Sequence, residues 1–188
     1  MAAVAALGEG VAASRSLRAL TVDDIANAPR ACALLLCACA GHPSLESVCL
    51  SSHFPFDNEQ RPACPELGLA SAALIAANAA SGAPLRSLWL HLTGHPELEL
   101  RPLFQALAAR SSLAELTLKC GDVSLSFAER VLRPCVDACG SLRELRFIER
   151  GNSGRYHLPW GDEAAMQRHA AMRALEQSVA GRSAGLLA

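Results

Sequence analysis

Histidine and cysteine side chains are the first candidates for chemistry in this sequence. His91 and His95 form a His-x-x-x-His pair, a spacing that two ligands of one metal ion could share, and eight cysteines could supply thiolates, disulfides or further ligands. His95 is followed by proline, no third ligand at a matching spacing stands near it, and no two cysteines form a Cys-x-x-Cys pair. We therefore interpret the two histidines as polar residues at the end of a strand, and we expect neither a metal ion nor a cofactor.

Nucleophilic catalysis would need an activated thiol. Cys49 or Cys120 could lie beside His91, because neighbouring strands of a sheet are about 4.8 Å apart. The sequence has no Gly-rich phosphate loop, no Gly-x-Ser-x-Gly and no His-Glu-x-x-His, and we interpret Glu97 and Glu99 as solvated loop charges. We predict that the chain is not an enzyme and has no small-molecule substrate.

Most of the cysteines stand among leucine and alanine. A free cysteine in such surroundings behaves as a small buried hydrophobe. Cys135 and Cys139 lie one helical turn apart, which core packing satisfies as well as metal binding does. We expect reduced core thiols in a cytosol-like compartment, with a disulfide or a metal site as the alternative.

A repeated leucine pattern predicts the elements that would position these side chains. Leu113, Leu116 and Leu118 follow the spacing Leu-x-x-Leu-x-Leu, whose last positions alternate as in a strand. The first leucines of successive copies lie 28, 40, 28 and 29 residues apart. Strands are predicted near residues 17–22, 45–50, 85–90, 113–118 and 142–148, and helices at 2–13, 29–40, 66–80, 101–110 and 125–139. The alternation predicts an α/β fold with a short parallel inner sheet and outer helices.

This period, with helices between the strands, resembles the leucine-rich repeat family and, more narrowly, its ribonuclease-inhibitor-like subclass. The resemblance covers most of residues 2–148. The family's asparagine or cysteine eight residues after the first leucine is replaced, in chain order, by Ile25, His53, Thr93, Gly121 and Arg150. The resemblance implies a solenoid of about five repeats, formed by residues 1–188 as a single domain, whose curved inner sheet binds other proteins.

Two segments depart from the repeat. Residues 53–65 account for the long interval and contain three prolines, which predicts an inserted surface loop. Residues 162–180 predict a C-terminal helix that covers the open end of the stack, with Asp162 as its cap, Gly181 as its end, and Met166, Ala170 and Leu175 on one face. Pro134 predicts a kink in the helix at 125–139.

The residues between the core positions of each strand should point away from the helices. They form one row of Thr21, Cys49, Trp89, Thr117 and Arg146, and a second row of Asp23, Ser51, His91, Lys119 and Ile148. Trp89 places a large ring at the centre of this open face, and tryptophan and arginine often dominate binding energy. We predict a partner-binding site of Trp89, Arg86, His91, Thr117, Lys119 and Arg146.

Composition narrows the class of partner. The 188 residues include 17 basic and 18 acidic ones, for a net charge of −1, so there is no electrostatic case for nucleic acid. No apolar run reaches the roughly 18 residues of a membrane span, and residues 1–13 contain Glu9 and no basic residue, which argues against a signal peptide. We predict a cytoplasmic module that binds another protein. The alternative is a fragment or degenerate copy of a larger repeat protein, with a structural role only.

Overall fold

The computed structural model describes residues 2–23, 25, 28–51, 64–92, 96–109, 111–120, 123–149 and 163–185. Within these ranges, five strands form one parallel sheet in the order β1-β2-β3-β4-β5. The strands are β1 Ala19–Val22, β2 Ser47–Leu50, β3 Ser87–His91, β4 Glu115–Cys120 and β5 Glu144–Glu149. The predicted α/β class with a short parallel sheet is confirmed.

The leucine pattern controls where each strand begins. Every strand starts two residues after the first leucine of its pattern. In four of the five copies that leucine is buried ahead of the strand, as Leu45, Leu85, Leu113 and Leu142. The two later apolar positions of the pattern then face the core from within the strand, so the same spacing sets both the strand start and its register.

Helices precede β1, connect the consecutive strands and follow β5, and they pack beside one another in chain order. They are α1 Ala2–Ala13, α2 Pro29–Cys39, α3 Pro65–Ser81, α4 Pro96–Ala109, α5 Leu125–Phe127, α6 Arg133–Ala138 and α7 Glu163–Gly185. Proline begins α2, α3 and α4, a position where its missing N–H costs nothing. The predicted inward residues of α2, among them Cys32, Leu35 and Leu36, are buried against the sheet. Residues 53–63 of the predicted insertion lie outside the described residues, and Pro65 belongs to α3.

The helix start predicted at residue 101 is wrong. α4 begins at Pro96, and this start turns the expected loop charges into helical residues. Glu99 has no exposed surface, and its Oε1 atom accepts a hydrogen bond of 3.3 Å from the backbone N–H of Cys64. The Oε1 atom of Glu97 accepts one of 3.0 Å from the backbone N–H of Ser124. The interpretation of Glu99 as a solvated charge is therefore incorrect, because the carboxylate is buried and binds the backbone N–H of Cys64, the residue that precedes α3.

Pro134 disrupts the helix as predicted, and the disruption takes the form of a π-helical turn before it. A π-helical turn at Ala128–Leu132 separates α5 from α6, and Pro134 is the second residue of α6. A proline inside a helix clashes with the carbonyl group four residues earlier, and the wider π turn relieves that clash. Leu132 and Val136 remain buried on either side of the proline.

The last helix differs from its prediction in length and in phase. α7 runs through Gly181 as far as Gly185. It buries Ala171, Met172, Leu175 and Val179, whereas Met166 is 47% exposed and Ala170 lies on the exposed side. The Oε1 atom of Glu176 accepts a 2.6 Å hydrogen bond from the backbone N–H of Phe147. α7 thus covers the outer edge of β5 and satisfies one of its edge amides. Asp162 lies outside the described residues.

Candidate protein-binding face of the sheet

The strand register places the predicted central row on one line across the sheet. Thr21 pairs with Cys49, Cys49 with Trp89, Trp89 with Thr117, and Thr117 with Arg146. Their neighbours along each strand, such as Leu88 and Leu90, are buried on the helix side. Since successive side chains of a strand point to opposite faces, this row lies on the face away from the helices. We call this surface the open face.

A second row follows at the carboxyl ends of the strands. His91 pairs with Lys119, and Lys119 pairs with Ile148. At the other side of the sheet, the hydroxyl group of Ser51 hydrogen-bonds the carboxylate of Asp23, and the backbone N–H of Ser51 donates to the carbonyl oxygen of Val22 at 3.0 Å. The open face thus carries an acidic group beside β1 and a basic group on β4.

Trp89 lies at the centre of the open face and is half-buried. Its ring meets the ring of His91 edge-on, with the two centroids 6.4 Å apart and the planes at 90°. That geometry is a favourable one for an aromatic pair. His91 itself is only 7% exposed. It therefore supports and orients the indole ring, and it offers a partner far less surface than the sequence suggests.

Lys119 and Arg146 differ in how they present their charges. Lys119 is half-buried, and burial lowers the pKa of its ammonium group, because desolvation disfavours the charged form. The Arg146 side chain is 68% exposed and forms an ion pair with Glu144, which stands two residues earlier on the same strand. Residues two apart share one face of a strand. The pairing was therefore detectable in the sequence, although the predicted site left Glu144 out.

Arg86 lies apart from the other predicted site residues. It precedes β3 at the opposite end from His91, five positions away, which corresponds to about 16 Å along a strand. Its backbone N–H donates to the carbonyl oxygen of Glu46 at 2.8 Å, and its own carbonyl oxygen accepts from the N–H groups of Ala114 and Glu115. Arg86 thus belongs to the row at the strand starts, where Arg18 and Glu46 form an exposed ion pair of 2.8 Å.

The Cys49 thiol lies beside Trp89 on the open face. The pKa of Cys49 is raised, first by burial and then by the negative charge of Asp23, while a hydrogen bond with Ser51 opposes the rise. A thiol with a raised pKa is protonated at neutral pH and is a poor nucleophile. Burial likewise raises the pKa of Cys32 to about 12 and that of Cys39 to about 11. Cys32 and Cys39 are buried core residues.

The described residues contain neither a cluster of metal ligands nor a membrane-spanning helix. In the ranges that the structure describes, no three histidine, cysteine, aspartate or glutamate side chains come together as a metal site, and His95 is not among the described residues. Among the described helices, none combines the length and the apolar character needed to cross a bilayer.

The architecture defines an α/β protein with a parallel sheet whose open face carries a half-buried tryptophan. A comparison of the sequence with protein-family models and with curated proteins finds no match in either. The function is therefore inferred from the geometry of the open face.

Proposed function

We propose that this protein is a non-catalytic interaction module of the leucine-rich repeat type, which binds a partner protein through its open face. The leucine pattern and the consecutive, parallel strand order support the repeat arrangement. The raised pKa of Cys49 supports a role without nucleophilic catalysis.

The observation that carries the proposal is the position of Trp89. A tryptophan that only fills space belongs on the buried side of a sheet, whereas Trp89 lies on the opposite face and is half-buried. Small side chains lie on three sides of it, with Cys49 and Thr117 on the neighbouring strands and Ser87 two residues earlier, and the His91 ring lies on the fourth. A large ring that rises among small residues is well suited to insert into a pocket of a partner, as interface anchors do.

Polar groups flank this anchor on the side of β4 and β5. Lys119 is diagonal to Trp89, and Arg146 lies beyond Thr117 in the same row. Arginine and lysine at the border of an aromatic anchor add hydrogen bonds and orient the partner. We therefore place the contact surface on β3, β4 and β5, with His91 as the support of the anchor and Arg86 outside it.

A quantitative capture experiment tests the proposal. The full chain, its Trp89→Ala variant and its Leu98→Ala variant are used as bait, and retained proteins are compared by mass spectrometry. Leu98 is 55% exposed on α4, away from the open face, so its variant controls for loss of an exposed apolar side chain. We expect a partner that wild type and Leu98→Ala retain and Trp89→Ala loses.

The affinity for that partner then gives the decisive number. Trp89→Ala should weaken binding by at least about 2 kcal/mol, roughly 30-fold in Kd, while the thermal midpoint changes little. If the folded variant binds the partner as tightly as wild type, the open face is not the binding site.

A structural role within a larger repeat assembly is the second candidate. α1 is the observation that favours it, because the buried residue of this helix is Val11 and Leu7 is 41% exposed. A helix with so little burial is suited to pack against a further unit. Association of the chain that Leu7→Lys abolishes would favour this candidate, and a monomer that unfolds cooperatively would argue against it.

A further inference from the structure

An apolar groove lies on the helix side of the protein, where neither the core nor the open face uses it. It runs between α2 and α3 and has a volume of about 550 Å³. Leu34 on α2 and Leu69 on α3 border it and are 47% and 61% exposed, and alanines and Cys37 form much of its lining. Exposed leucines on adjacent helices form a continuous apolar surface, which marks an interaction site when the chain is free in water. None of the described residues covers it.

One end of the groove carries opposite charges on its two sides. Arg30 stands in the first turn of α2 and Glu66 in the first turn of α3, and both line the groove. The pKa of Glu66 is lowered by a hydrogen bond from its own backbone N–H and by one with Cys64, and also by the charge of Arg30. The two charged groups are therefore at the same end of the groove and near one another.

This distribution is self-complementary about one particular axis. If a second copy is turned by 180° about a line along the groove, its α2 lies over α3 of the first copy and the helices run parallel. Arg30 of each copy then faces Glu66 of the other, and Leu34 of each faces the side of the groove that carries Leu69. A two-fold axis perpendicular to the groove would instead place Arg30 over the uncharged last turn of α2 and Glu66 over that of α3.

We propose that this groove is a homodimer interface, in which two copies pack back to back through α2 and α3. The arrangement is isologous, so that each contact occurs twice and one charged pair on a single chain yields two pairs in the dimer. The proposal goes beyond partner binding at the open face, since it uses the opposite side of the protein. It leaves both open faces exposed, so the dimer presents two partner sites at once, which raises avidity for a partner with two copies of its epitope.

Sedimentation equilibrium of the full chain across a concentration series tests the interface. We expect wild type to dimerise and Leu69→Lys to remain monomeric, because the substitution places a charged side chain in the apolar interface. Leu7→Lys is the matched control, since Leu7 is also exposed but lies on α1, outside the groove, and that variant should dimerise like wild type. Circular dichroism and thermal melting establish that each variant is folded.

Charge reversal tests the axis. Arg30→Glu should weaken dimerisation at least about tenfold, because it places like charges opposite each other twice. The double variant Arg30→Glu with Glu66→Arg should restore the dimer to within about threefold of wild type.

A wild-type chain that stays monomeric at all concentrations overturns the proposal. So does a dimer that survives Leu69→Lys or that Leu7→Lys dissolves. A monomer whose groove binds an amphipathic helical peptide would show that a different protein occupies the groove. A monomer that Leu69→Lys unfolds would show that residues of the same chain occupy it.

Discussion

Gly68 of α3 lies close to the backbone of Glu99 in α4, and its replacement by alanine tests the packing of the helix layer. A Cβ atom at residue 68 would overlap the carbonyl oxygen of Glu99 and lie 2.7 Å from its Cα atom and 2.9 Å from its carbonyl carbon. These are backbone atoms, so a side-chain rotation cannot relieve the overlap. Only a separation of the two helices can, and it would also stretch the hydrogen bond from Cys64 to the buried Glu99.

The expected loss combines two costs and one gain. Overpacking of a tight contact costs about 1–3 kcal/mol, and strain on a hydrogen bond to a buried carboxylate adds about 1 kcal/mol. Replacement of glycine by alanine inside a helix returns up to about 1 kcal/mol through helix propensity. We expect Gly68→Ala to lower the free energy of unfolding by about 2 kcal/mol. At about 2–4 °C per kcal/mol for a chain of this size, the thermal midpoint should fall by about 4–8 °C.

Gly181→Ala is the matched control for this measurement. Gly181 also lies inside a helix, α7, but a Cβ atom there meets nothing within 4 Å. The same substitution should therefore stabilise the protein by up to about 1 kcal/mol. Urea unfolding of the three proteins, followed by circular dichroism, measures both effects. If Gly68→Ala is as stable as wild type, α3 does not lie as close to Glu99 as the structure places it.

Three further outcomes are expected, two from the structure and one from the sequence. Glu176→Ala should cost about 1–2 kcal/mol in urea unfolding, because an edge amide of β5 loses its acceptor; an unchanged midpoint would mean that α7 does not protect this edge. The pKa values of Cys32 and Cys39 are raised in the folded chain from 9.0 to about 12 and about 11. Their contribution to stability is therefore complete below pH 9 and is lost as the pH rises from about 9 towards those values, because the unfolded thiols ionise first. Stability should fall across that window, less steeply in a Cys32→Ala variant, and an equal slope in both would refute burial as the cause. Deletion of residues 55–62 should leave thermal unfolding cooperative, since loop length costs only about 0.6 kcal/mol per doubling; loss of the transition would show that the segment is structural.

The sheet could be predicted from the sequence because the alternation of side chains between the two faces of a strand depends only on residues adjacent in the chain. A period of two places Leu116 and Leu118 on the helix side and Thr117 on the other, whatever the rest of the chain does. The same alternation, aligned on the repeated leucines, predicts that Trp89 lies beside Thr117. Trp89 is therefore the part of the candidate site that local pattern alone identifies.

Residues whose environment depends on distant contacts could not be predicted in the same way. Glu99 has the sequence context of a loop charge, yet it is buried because the N–H of Cys64, 35 residues earlier in the chain, meets its carboxylate. The groove between α2 and α3 was missed for a related reason. Leu34 and Leu69 lie off the inward faces of their helices, as helical spacing predicts, but the groove that they border exists only because α2 packs beside α3. His91 is the reverse case, a polar residue that the Trp89 ring and its surroundings bury.

The consecutive order of the strands has a mechanical consequence. Each strand pairs with the strands next to it in the chain, and each helix packs mainly against the helices before and after it. A ribosome that releases the chain from its amino end would deliver each strand next to a partner that is already in place. Conversely, a force that pulls the two ends apart would detach strands from the edges of the sheet, β1 and β5 first, and the resistance would come in a series of small steps rather than in one rupture.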